Sequence, residues 1–176
     1  MRDDVAMSRT LPVIVVTWQF ECCGDAFAIG DEVSWRLSLV TDDYPIGAAR
    51  TTLRGSVGAE LVSDVGGDRG SVMTADGLVA WVRPTQPPGV VDLSGTLIED
   101  HHGLVPEEVP CTHGRVTRIR VASVAHTRAD AELWPVPGSE RLRDISSFAD
   151  RTLQAASPSE TPDRQETDLL VDLLIG

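Results

Sequence analysis

The chain contains no lysine. All fifteen of its basic side chains are arginine, set against 27 carboxylates, which gives a formal net charge of −12. So strong an acidic excess repels phosphate backbones and anionic bilayers, which argues against nucleic acid or a membrane as the partner. It also keeps a small protein dispersed. Cysteine is scarce, with three residues of which two, Cys22 and Cys23, are adjacent. That count excludes a disulfide scaffold and fits reduced thiols in a cytoplasm. The first ten residues place Asp3 and Asp4 beside Arg2, so they lack the positive start and apolar stretch of a secretory leader. No apolar run approaches the ~20 residues of a membrane-spanning helix. The absence of lysine, together with abundant Ala, Gly, Val, Asp and Arg, reflects a GC-rich coding bias.

Enough remains for a folded core. The chain has 176 residues, 41% of them hydrophobic, and a chain of this size buries about 70% of its surface without help from metal or disulfides. The dominant periodicity is two. Val33, Trp35, Leu37 and Leu39 face one way, with Ser34, Arg36 and Ser38 facing the other, and the turn Gly30-Asp31 stands before them. Leu11 to Trp18 is a β-branched run without alternation, the pattern of a strand covered on both faces. Further strands are expected over 78–83, 90–98 and 114–124, while 52–62, interrupted by Gly55 and Gly58, is ambiguous. Leu142, Ile145, Phe148, Ala149 and Leu153 fall on one face of a helix over 140–153.

These elements predict a mainly β protein: a small antiparallel barrel or curled sheet with one or two short helices. Residues 1–10 are expected to be a flexible N-terminus, 11–156 a single mainly β domain, and 157–167 a loose, proline-containing linker. The apolar piece 168–176 is expected to dock on its own sheet or on a second chain, the latter giving a homodimer. Charge is distributed unevenly. Four arginines and no carboxylate lie between Gly114 and Arg128, and five carboxylates oppose the single Arg164 between Ser157 and Asp172. The two stretches either meet in the fold or the arginines line a solvated strand face.

Residues able to carry chemistry gather in three pieces. All four histidines lie between His101 and His126: His101 and His102 are adjacent, after Asp100, and Cys111 and His113 sit two apart, sharing a face if extended. Cys22-Cys23-Gly24 follows the first strand. Zinc accepts tetrahedral sulfur and nitrogen ligands, and Cys22 or Cys23, His101 or His102, Cys111 and His113 would supply them. The spacing gives little support, since no Cys-x-x-Cys or His-x-x-x-His occurs. Small buried thiols and loop histidines are the competing account. A thiol enzyme would need Cys23 beside His101 or His102, Asp100 to orient the ring and the Gly24 N–H as oxyanion donor. No Gly-x-Ser-x-Gly or phosphate-loop pattern is present.

Of four tryptophans, Trp35 and Trp81 lie in strand patterns and belong to the core, Trp134 is partly exposed, and Trp18, beside Gln19, is the one expected to face a ligand pocket with Asp100. The leading expectation is therefore a non-catalytic cytoplasmic β module that binds a protein or small ligand, with a zinc protein and a Cys23 thiol enzyme as alternatives.

The set Trp18-Gln19-x-Glu21-Cys22-Cys23-Gly24-x-x-Phe27-x-x-Gly30-Asp31-x-Val33-x-Trp35, with Glu99-Asp100-His101-His102-Gly103 and Gly114-Arg115-Val116-x-x-Ile119, resembles a family of small actinobacterial β-proteins of unknown function. The resemblance covers about the first 125 residues. It implies no activity, cofactor or partner, but it does imply that the Cys-Cys-Gly and His-His-Gly pieces belong to a shared pattern.

Overall fold

The computed structural model describes residues 8–17, 24–129, 132–148 and 164–176. The early strands are β1 (Arg9–Val16), β2 (Phe27–Ala28), β3 (Glu32–Trp35) and β4 (Leu37–Val40), then, after a 3-10 turn at Gly47–Ala49, β5 (Arg50–Ser63), β6 (Arg69–Ala75) and β7 (Leu78–Arg83). They are followed by β8 (Gly89–Glu99), β9 (Thr112–Ala129), β10 (Glu132–Pro135), β11 (Arg141–Ile145), β12 (Ser147–Phe148) and β13 (Arg164–Ile175). Eleven of these form one sheet, whose main path runs β10-β9-β13-β1-β8-β4-β7-β6-β5, with β3 and β11 also on β9. β5 pairs back onto β8, so the path returns on itself; β2 and β12 form a separate two-stranded ribbon.

Two expectations change. The sheet is mixed rather than antiparallel, because β1 pairs with β8 and β4 with β7 in parallel. No short α-helix stands over 140–148. Arg141–Ile145 is instead strand β11, laid antiparallel along Ile119–Ser123 of β9. The helical spacing of Leu142 and Ile145 is overridden because the 18-residue β9 offers backbone donors and acceptors that need partners. The remainder of the expected helix, from 149, lies outside the described residues. The ambiguous 52–62 stretch is β5, and Gly55 fits there because a Cβ would crowd the Thr74 carbonyl oxygen at 2.7 Å.

Three apolar clusters explain the layering. The main core takes Leu11, Val13 and Val15 of β1, Leu37 and Leu39, Val116, Ile119 and Val121, and Leu169, Val171 and Leu173. Trp35 is buried there, edge-on to Phe27 at 5.4 Å. The other face of β1, β9 and β13 contributes Ile14, Ala122, Val124 and Leu170 to a second cluster, capped by Ile46 and Ala49 with Tyr44 and Leu142 at its border. This explains why β1 reads as apolar without alternation: both of its faces are covered. The third cluster joins Trp81 to Val105 and Val109, so the 100–111 loop is plugged onto β7 by two buried valines.

β13 lies between β1 and β9, with both edges hydrogen-bonded inside the chain. It also brings the acidic and arginine-rich stretches together, with Arg120 paired to Asp172 across the β9–β13 ladder; from outside the arginine-rich stretch, Arg143 of β11 reaches Glu166 at 3.0 Å. Among the described residues no helix is long and apolar enough to cross a membrane.

Candidate functional site

Two polar corners stand out, each at the margin of one of the two smaller clusters. The first is the end of β8. Glu99 pairs in parallel with Val15 of β1 and antiparallel with Leu37 of β4. The parallel pairing brings the C-terminal ends of β1 and β8 side by side. Glu99 is 3% exposed, and its carboxylate contacts Nδ1 of His101. Burial raises the Glu99 carboxyl above its ordinary range, and the adjoining His101 only partly offsets this. The hydrogen bond to Glu99 raises His101 in turn, with the negative charges of Glu99, Asp100 and Asp25 adding to the effect. Asp100 shapes the turn that holds the ring: its Oδ1 accepts from the His102 N–H at 3.1 Å and its Oδ2 from the Val105 N–H at 2.6 Å.

Of the residues expected from sequence to form a site, Trp18, Gln19, Cys22 and Cys23 lie outside the described residues. His102 and His113 are exposed, and Cys111 is half-buried and in no disulfide. Cys111 and His113 flank the buried Thr112, whose hydroxyl instead bonds the backbone of Val79 in both directions at 2.8 Å. Among the described residues no group of three or more His, Cys, Asp or Glu is arranged to hold a metal ion. The 100–111 loop, which carries His101, His102 and Cys111, is in part structural, because Val105 and Val109 are buried against Trp81. Sequence alone does not mark Glu99 as a partner for His101, because strand alternation gives no sign that a carboxylate at a strand end will be buried.

The second corner was not legible as a site. Tyr44, the chain's single tyrosine, donates its hydroxyl to Oδ2 of Asp168 at 3.2 Å. Asp168 is buried at a register shift in β13, and burial raises its carboxyl above the usual range. Burial, then the neighbouring Asp168 charge, pushes the Tyr44 phenol far up. Beside this couple opens a cleft of about 350 Å³ between the 43–50 segment and the 135–140 turn, with walls that include Tyr44, Arg50, Thr96, Pro135, Pro137 and Glu140. Thr96 is 1% exposed, and among the described residues its hydroxyl oxygen has no hydrogen-bond partner; the buried Oε2 of Glu140 has none there either. Buried polar atoms are nearly always paired, so two orphans in one cleft call for an explanation. Larger grooves of about 460 and 660 Å³ run along β5 and β6, and none of their lining residues carries such an orphan. The sequence signal for this cleft was faint: an Asp-Asp-Tyr-Pro turn and a Pro-Val-Pro-Gly turn far apart in the chain.

No curated protein and no solved structure matches the chain. A family model does, over residues 9–175, from the start of β1 to the end of β13, and the chain belongs to that family of unknown function, DUF6578.

Proposed function

We propose that the chain is a non-catalytic, cytoplasmic binding module that takes a small ligand in the cleft between Tyr44, Thr96 and Glu140. The observation that carries this reading is the orphaned hydroxyl of Thr96, which is buried at the cleft wall and unpaired. An unpaired buried hydroxyl costs about 1–3 kcal/mol, and a ligand that completes its bonding would recover that cost. The cleft volume and its mix of proline, tyrosine and a few polar groups are those of a small-molecule site. A fragment screen by NMR on the full chain tests it. Fragments are expected to shift the amide signals of Gly47, Thr96 and Gly138 together. Shifts that gather along β5 and β6 instead, or none at all, would overturn it.

A second reading is a zinc protein that uses His101 with Cys22 or Cys23. It is favoured by the Glu99 carboxylate on His101 Nδ1, the kind of partner that orients metal-binding imidazoles, and by the parallel β1–β8 pairing, which brings the C-terminal ends of those two strands together. Elemental analysis of natively purified protein is expected to find about one zinc per chain on this reading, lost in His101→Ala. Metal-free, folded protein would exclude it.

A further inference from the structure

Resting on the cleft reading, we infer that the ligand is a small organic cation: a primary ammonium carried on a flat apolar body. The cleft's unsatisfied groups select this class. Among the described residues Glu140 Oε2 is a buried acceptor without a donor, and Thr96 Oγ1 is a second unpartnered oxygen, carried by another residue that lines the same cleft. A carboxylate accepts only, whereas an ammonium brings three donors. An anionic ligand would meet Glu140 with its charge unanswered. Arg50 does not offer an anion a free cation, because it already faces Asp43 at 3.4 Å and its side chain is 45% exposed to screening water. Tyr44 does not compete for the ligand's donors, since its hydroxyl is committed to Asp168 and its ring is left as a wall. Pro45, Pro135 and Pro137 supply further flat, donor-free surface. The acidic surplus of the whole chain adds a general attraction for cations.

Three probes of one shape separate the terms: benzylamine, protonated at neutral pH, benzyl alcohol and benzoate, each titrated into the full chain and followed by NMR at Gly47, Thr96 and Gly138. Benzylammonium is expected to bind at least tenfold more tightly than benzyl alcohol, and benzoate not to bind. Glu140→Gln is expected to erase the tenfold preference. Thr96→Val, a near-isosteric change, should weaken both binding probes, and a melting curve for each variant verifies that it is folded. Asp42→Asn removes an exposed carboxylate that does not line the cleft and should alter affinity less than twofold. If benzyl alcohol or benzoate binds the same amides as tightly as benzylammonium, the cation assignment fails and the cleft reading stands. If Asp42→Asn weakens binding as much as Glu140→Gln, the attraction is diffuse and the assignment also fails. If none of the three probes moves these amides, the assignment is overturned with no support left for this cleft.

Discussion

Two segments cover the outside of the sheet, and they do so by different means. The 100–111 loop lies on β7 and is pinned by Val105 and Val109 against Trp81. The 41–49 segment lies on β1, β9 and β13 and is pinned by Ile46 and Ala49. Each has a buried carboxylate at its margin. Under the first, Glu99 meets an imidazole; under the second, Asp168 meets a phenol. Desolvation raises both carboxyls, so what differs is the partner. His101 can take a proton near neutrality, whereas Tyr44 holds its own throughout that range. The first corner is built to respond to pH and the second to keep a fixed hydrogen bond, and it is beside the fixed one that the orphaned oxygens and the cleft lie.

The apolar pins set the largest expected effects. Trp81→Ala deletes the anchor of the first cover, takes the indole from its contact with the Val62 carbonyl, and opens a void beside Gly70, where the ring leaves no room for a Cβ. A loss of roughly 3–5 kcal/mol is expected in denaturant unfolding. A loss under 1 kcal/mol would mean that the 100–111 loop is not held by this cluster. Next in size is the fixed couple. Asp168→Ala strips Tyr44 of its acceptor and should cost roughly 1–3 kcal/mol, while Asp168→Asn keeps an acceptor and is expected to be at least as stable as the parent at pH 7. If the two variants behave alike, the Tyr44 hydrogen bond does not organise the second cover.

The pH response separates the corners further. The folded-state values of Glu99 and Asp168 are raised above 4.5 and 3.8, so the folded chain holds those protons more tightly and loses that stability as pH climbs through the raised values. His101 is raised above 6.5, so its contribution is complete below pH 6.5 and fades as pH rises through its higher folded value. Stability measured with a chelator present should therefore fall in two stages. His101→Gln is expected to remove the upper stage and, by taking away the partner that offsets Glu99, to move the lower stage upward, whereas Asp168→Asn should only reduce the lower. A single stage that survives both substitutions would erase the distinction between the corners.

Much of the sheet was legible because its signal is local. The alternation from Val33 to Leu39, the unbroken apolar face of β1 and the burial of Trp35 and Trp81 all follow from residues two apart. The site was less legible because its members are distant in sequence. Tyr44 and Asp168 are 124 positions apart, and Thr96 sits in a strand where a threonine is unremarkable. The helix expected over 140–153 failed where it is described, since the partner that decides Arg141–Ile145 is β9, twenty-odd residues away. The arginine and carboxylate stretches lay between these cases. Their opposite bias left open either a meeting or a solvated strand face, and only the β9–β13 register tells which side chains meet.

That charged ladder gives the smallest effect, and it tests whether geometry or burial governs. Arg118 forks onto Asp144, Nε at 2.6 Å and Nη2 at 3.0 Å, the two-pronged arrangement usually associated with strength. The pairing raises the guanidinium and lowers the carboxyl. Both side chains are nonetheless at least half exposed, so water and salt screen the attraction while holding the pair still costs side-chain freedom. The Arg120–Asp172 side chains are 13% and 22% exposed, which leaves far less screening. Arg118→Ala is therefore expected to leave the melting temperature unchanged within error at physiological salt. Arg120→Ala should cost about 1 kcal/mol, because it also leaves Asp172 half-buried without its partner. Equal losses for the two would mean that the forked geometry outweighs exposure, and that the outer charges help to fix the register of β9 against its neighbours.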